Sequence, residues 1–167
     1  MDTMSMFSMA GSAFSTLATG YFWLVRNRRE KPNLRAYLAD REFYLGRGGA
    51  DNRQIGCKLG LIVANYSILP NSLLGVTLAV KRKDGGWQTV QGMTFDAQTP
   101  LPFNIPPMQT VLLRVNGYLS FPNMAESGTS TGILARYVEQ LAEPLQYRVE
   151  LRGLNNRRQT QVLATAA

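Results

Sequence analysis

Histidine is absent from all 167 residues, and cysteine occurs once, at Cys57. The first absence removes the usual general base near neutral pH, the commonest zinc ligand and any imidazole for haem iron or chlorophyll magnesium. Catalysis would have to rest on carboxylates, lysine or one thiol. A single cysteine excludes an intramolecular disulfide, which suits a reducing compartment without requiring one. Within an apolar run Cys57 reads first as a small buried side chain rather than as a reactive thiol. Charged residues are also sparse, at 17% against 45% apolar, a balance that fits a globular or membrane-associated chain and opposes disorder. The expectation is a protein with no metal, no cofactor and no enzymatic activity.

The N-terminal stretch stands out by its lack of charge. From Phe7 to Val25 no residue is charged, and as a helix the stretch would span roughly 28 Å, about one hydrocarbon core. Tyr21 and Trp23 close it, and Arg26, Arg28, Arg29 and Lys31 follow at once, as an aromatic belt and a basic flank do at a membrane interface. A cleaved signal peptide would carry the basic residues first. The expectation is therefore one N-terminal transmembrane helix over about 7–25, with the N-terminus outside and the basic flank inside. A buried or surface amphipathic helix is the alternative, because Ser, Thr and Gly dilute the apolar character. Ser8, Gly11, Ser12, Ser15, Thr16, Thr19 and Gly20 share one helical face, and a small, weakly polar face lets another helix approach closely. They are read as a helix-packing face, the alternative being a mildly polar anchor alone in lipid.

After the charged exit, Pro32 disfavours further helix. A first strand or strand pair is plausible from Leu34 to Leu45, although 36–43 could also form a helical turn. The run from Ile55 to Leu69 is apolar on both faces in its middle, as in a strand covered on both sides. Leu74 to Lys83 alternates, and Asp84-Gly85-Gly86 turns it back into Trp87 to Phe95. Thr110 to Leu119, Leu145 to Leu151 and Thr160 to Thr165 complete the strand signals. Between them Ile133, Leu134, Tyr137, Val138 and Leu141 carry helical spacing. The pattern predicts a mainly β chain: an antiparallel immunoglobulin-like sandwich of about 6–7 strands with one short helix over residues 32–167, preceded by tail, span and basic flank over 1–31.

Candidate sites in the domain are weak. Gly46, Gly48 and Gly49 lack the Lys-Ser/Thr that a phosphate loop needs, so an ordinary turn is the better reading. Lys81-Arg82-Lys83 and Arg157-Arg158 have no neighbouring aromatics for base stacking, so solvated turns or lipid-headgroup contacts are favoured and no nucleic-acid partner is expected. Asp40 with Glu42, and Glu139 with Glu143, have spacings found on any solvated face. The four prolines from Pro100 to Pro107 hold an extended connection that shows Leu101, Phe103 and Ile105, which either seal the sandwich edge or, together with Phe121, dock on a partner.

The stretch Asn65-Tyr66-Ser67-Ile68-Leu69-Pro70-Asn71-Ser72-Leu73, with Asp84-Gly85-Gly86-Trp87 and the proline segment, resembles bacterial membrane-anchored β-sandwich proteins over residues 55–120. Such proteins occur as accessory subunits of large membrane assemblies, including respiratory and photosynthetic reaction-centre and antenna complexes. The resemblance implies a non-enzymatic accessory subunit at the bacterial inner membrane. Its helix would meet lipid and other subunits, its cytoplasmic domain would bridge them, and it would ligate no pigment or haem itself. The alternative is a membrane-anchored recognition module for anionic lipid or nucleic acid, acting through the basic turns.

Overall fold

A computed structural model describes residues 3–46, 54–96, 100–121, 129–154 and 157–165, with side chains from Ser15 onward. Helix α1 runs from Thr3 to Glu30. It stops where Pro32 removes a backbone donor, and the chain turns directly into strand β1, Leu34–Gly46. Strands β2 (Gln54–Asn65) and β3 (Asn71–Lys81) follow, then β4 (Trp87–Thr89), β5 (Gln91–Phe95), β6 (Phe103–Ile105) and β7 (Thr110–Ser120). Helix α2 (Ser130–Val138) and strands β8 (Gln146–Gly153) and β9 (Arg158–Ala164) complete the order.

Every strand pairing is antiparallel, and the strands form two sheets. Sheet A has the order β1-β2-β7-β5, and sheet B the order β4-β3-β8-β9 with β6 also on β3. Leu59, Leu61, Val63, Leu113, Val115 and Leu119 of sheet A face Leu73, Leu78, Val80, Tyr147, Val149 and Leu151 of sheet B in one core. Alternation places most of them, since side chains two residues apart share a face, and on β3 a bulge between Leu73 and Gly75 brings Leu73 to the same face as Leu78 and Val80. Burying a Leu or Val completely is worth about 1.5–3 kcal/mol, so this shared face is the main source of cohesion.

At the β1 and β9 edges the two sheets are joined by side chains. The Gln159 amide accepts from Leu34 N and donates to Pro32 O, while that of Gln161 accepts from Ala36 N and donates to Leu34 O, at 2.9–3.0 Å. Each glutamine thereby supplies a donor and an acceptor in the way a neighbouring strand would. Further along β1 a bulge at Leu38/Asp40 and the charges of Asp40, Arg41 and Glu42 interrupt the edge, a combination that discourages strand addition. Helix α2 is capped by Thr129, whose hydroxyl accepts from Gly132 N, and it buries Ile133 and Tyr137.

Several expectations require correction. No helix of the described residues is long and apolar enough to cross a membrane. The N-terminal span over 7–25 is therefore withdrawn, with the N-out orientation, the inner-membrane location and the interface roles of Tyr21, Trp23, Arg26, Arg28, Arg29 and Lys31. The small and hydroxyl residues read as a packing face are what lower the apolar character of α1. The membrane-anchored accessory subunit falls with the span, as do its respiratory or photosynthetic setting and the anchored recognition module. Among the described residues nine strands form, more than the 6–7 expected. One reason is that the stretch from Trp87 to Phe95, expected as one strand, changes sheets at buried Val90, placing β4 on β3 and β5 on β7. Gly92 allows that bend: its φ of 57° suits glycine, and the Tyr118 ring occupies the space a Cβ would need. A second reason is β6, where the proline segment pairs with β3.

Candidate interaction surfaces

Helix α1 packs lengthwise against no other described element. Its C-terminal turn is nevertheless tied firmly to the body. Arg29 O accepts from Ile68 N at 3.1 Å and from Ser67 Oγ at 2.9 Å, and Tyr66 N donates to Asn33 O at 2.8 Å. These bonds satisfy a terminal carbonyl that the helix leaves without an internal partner.

The turn that receives the helix is organised by one buried side chain, Asn65. Its Nδ2 lies 2.9–3.1 Å from the carbonyls of Leu69, Ile105 and Pro106, and its Oδ1 accepts from Ser67 N and from Asn71 Nδ2. Asn65 N also donates to Gln109 O. A buried amide with all its groups partnered holds two loops and a helix end together, whereas an unpartnered one would be costly. Because that framework is rigid, the helix has a defined base.

What the helix presents is apolar and uncovered. Leu17 is 74% exposed, Trp23 67% and Leu24 48%, and Tyr21 and Phe22 are equally open. Leu17, Tyr21 and Leu24 follow helical i, i+4, i+7 spacing and so lie along one side. At the base Tyr66, Ile68, Leu69 and Met108 are also exposed, so the apolar surface continues onto the end of the sandwich. Tyr66 bonds Tyr37 through their hydroxyls at 2.9 Å and lies beneath the Arg35 guanidinium.

Of the helix-packing residues named from sequence, Ser15, Thr16, Thr19 and Gly20 lie on α1 and are exposed; Ser8, Gly11 and Ser12 have side chains outside the described residues. The Thr19 hydroxyl donates to Ser15 O at 2.8 Å, back onto its own helix. A Cβ at Gly20 would meet nothing within 4 Å. Arg26 pairs with Glu30 at 2.6 Å one turn on, and Arg28, Arg29 and Lys31 are exposed.

The proline segment points elsewhere. Ile105 and Phe121 are buried in the core, Phe121 against the Tyr137 ring at 5.3 Å, and Leu101 and Phe103 pack half-buried beside them. Of the two roles left open for these side chains, their placement matches sealing of the sandwich. Gly46 ends β1, while Gly48 and Gly49 lie outside the described residues. Glu42 faces Lys58 at 3.5 Å, and Arg82 bonds Asp84 in the hairpin turn.

Cys57 is buried, and desolvation pushes its thiol up to about 11. Such a thiol stays protonated and inert at neutral pH. Burial likewise pushes the Tyr147 phenol up to about 12, with Arg41 acting in the opposite direction. Among the described residues no group of three or more His, Cys, Asp or Glu could hold a metal ion.

The outer faces of the two sheets carry different charge. Sheet A shows Asp40, Glu42 and Asp96 with Arg35, Lys58 and Arg114, a balanced set. A cavity of about 620 Å³ opens there, lined by Asp40, Arg41, Glu42, Lys58, Asp96 and Arg114 with Leu59, Val115 and Asn116, and the missing Cβ of nearby Gly60 makes room for the Asp40 carboxylate. Sheet B shows Lys81, Arg148, Arg152 and Arg158 against the single carboxylate Glu150. Sequence reasoning placed Lys81 and Arg158 in basic turns but did not group them with Arg148 and Arg152, because Lys81 on β3 lies far along the chain from β8 and β9 and meets them only through strand register.

No protein-family model matches the chain, and no characterised protein matches its sequence. Among solved structures, the archaeal flagellum of Methanospirillum hungatei strain JF1 is similar at 12% identity and a TM-score of 0.36, over 93% of this chain and 79% of that one. A crystal structure of a protein from Archaeoglobus fulgidus is similar at 11% identity and a TM-score of 0.37, over 78% of this chain and 94% of that one. Superposition this loose carries no argument about the fold or function of the chain.

Proposed function

We propose that this chain acts by binding and not by turnover, as an assembly protein whose helix α1 packs against the α1 helices of further copies. The supporting observation is the row Leu17, Tyr21 and Leu24, exposed on a helix that no other described element covers. An isolated helix gains little stability in water unless its apolar face is packed. Covering a Leu or a large aromatic side chain is worth about 1.5–3 kcal/mol each, enough for a handful of them to drive association. A second copy suits this surface because α1 carries no charge from Thr3 to Val25, so like meets like there without repulsion. Gly20 and its small neighbours allow close approach of the backbones. The arginines are confined to the last turns beside the body, where solvent reaches them.

Sedimentation velocity of the full chain across a range of concentrations tests the reading. Association that grows with concentration is expected, and Leu17→Gln combined with Leu24→Gln should return the chain to monomer with the sandwich still folded by circular dichroism. A wild-type chain that stays monomeric at high concentration, or a double variant that associates as well as wild type, overturns it.

A further inference from the structure

The outer face of sheet B is a second surface, independent of the helix. Strand register brings its residues into rows: Lys81 beside Trp87, Ala79 with Arg148 and Val162, Thr77 with Glu150 and Thr160, and Gly75 with Arg152 and Arg158. Glu150 is paired with Arg158 at 3.4 Å. Among the described residues Arg148 and Arg152 have no carboxylate partner, and the Lys81 amine donates to the neutral Gln146 amide. Four cations against one carboxylate leave the face with an excess of three positive charges.

The floor between these groups is low and polar. One shallow cavity of about 270 Å³ is bounded by Thr77, Ala79, Thr89, Arg148 and Thr160. A second, of about 240 Å³, adjoins it at Glu150 and is bounded by Gly75, Arg152 and Arg158. Gly75 and Ala79 keep β3 below its neighbours, and the Arg152 guanidinium lies across Gly75. Hydroxyls on the floor and guanidinium forks at the walls match carboxylate chemistry, since Arg binds carboxylates in a two-pronged geometry.

We propose that this face docks an acidic, extended polypeptide segment of a partner protein. Charge complementarity argues for an anionic occupant, and two further features select among anions. The Arg148 guanidinium already covers the Trp87 ring at 5.0 Å, so the face offers no open aromatic platform for nucleobases. Arg148 and Arg152 are four residues apart on β8, roughly 13 Å at strand rise, which is the spacing of carboxylates at i and i+4 on an extended peptide. The peptide would lie along β8 with alternate acids reaching the two cavities, and the Glu150–Arg158 pair would separate them.

Titration of the full chain with a hexaglutamate peptide at low salt, read by calorimetry, tests the proposal. Binding is expected to weaken with added salt and to fall about ten-fold for Arg148→Gln and again for Arg152→Gln, the loss typical of a charge-assisted hydrogen bond. Lys58→Gln on sheet A should change nothing. Equal binding by the Arg148→Gln/Arg152→Gln double variant overturns the proposal. So does oligothymidylate or a sulfated oligosaccharide binding as tightly as the peptide, or an absence of peptide binding. Because the readout needs no association of copies, failure here leaves the helix reading untouched.

Discussion

The stalk and the body of this molecule are stabilised in opposite ways. In the body the two sheets cover each other's inner apolar faces, and a buried amide such as Asn65 has each of its groups partnered. Along α1 the large side chains described are uncovered, and the helix is held chiefly at its last turn. The body contains its own solution to the hydrophobic effect, while α1 exposes a surface whose burial needs another molecule. Geometry rather than composition separates them, since both regions are rich in apolar residues.

The largest perturbation that would break this contrast is Asn65→Ala. It removes the side chain that joins the β2–β3 turn, the loop after β6 and, through Ser67, the helix end. Several buried groups lose partners at about 1–3 kcal/mol apiece, so a loss of about 3–5 kcal/mol in urea unfolding is expected. The body should then behave as loosely as the stalk.

Alkaline pH probes the body alone. The Cys57 thiol and Tyr147 phenol are acids raised by burial from 9.0 and 10.0 to about 11 and about 12. Their neutral forms are favoured when folded, so the stability they allow is intact below pH 9 and declines as pH rises toward the folded values, when the unfolded chain ionises first. The unfolding midpoint should fall between pH 9 and 11, and Cys57→Val should flatten the early part of that fall. A midpoint independent of pH across this window would contradict the buried placement of both groups.

The smallest effect sharpens the contrast from the other side. Gly20→Ala meets open space and removes a flexible residue from a helix interior, so α1 should gain about 0.5–1 kcal/mol of helical stability. Helicity by circular dichroism should rise, while the unfolding midpoint of the sandwich should stay where it was.

Much of the sandwich was legible in advance. Alternation at Val76 to Val80, Thr110 to Leu119 and Leu145 to Leu151 reports which side chains face the core, because strand geometry has a fixed period of two, whereas at the start of β3 a bulge puts Leu73 in the core where alternation pointed to Leu74. The helix α2 followed from equally local spacing at Ile133, Leu134 and Tyr137. The proline segment was harder: its apolar residues carry no periodicity over so short a strand, so the choice between sealing the sandwich edge and docking on a partner could not be made from the chain alone. The basic face of sheet B was invisible for a different reason. Lys81 lies on β3, Arg148 and Arg152 on β8 and Arg158 on β9, and the surface these three strands share is a product of register.

The sequence by itself determined a mainly β chain with an N-terminal helix uncharged from Thr3 to Val25, no imidazole chemistry and a thiol placed in an apolar strand, because these depend on residue type and local period. Tertiary structure alone decided that Trp87 to Phe95 divides between two sheets, that Asn65 ties the helix to the body, and that glutamines from β9 close the edge of β1. Those outcomes rest on pairing between distant residues, and hydrogen-bond partners far apart in the chain leave no local pattern to read.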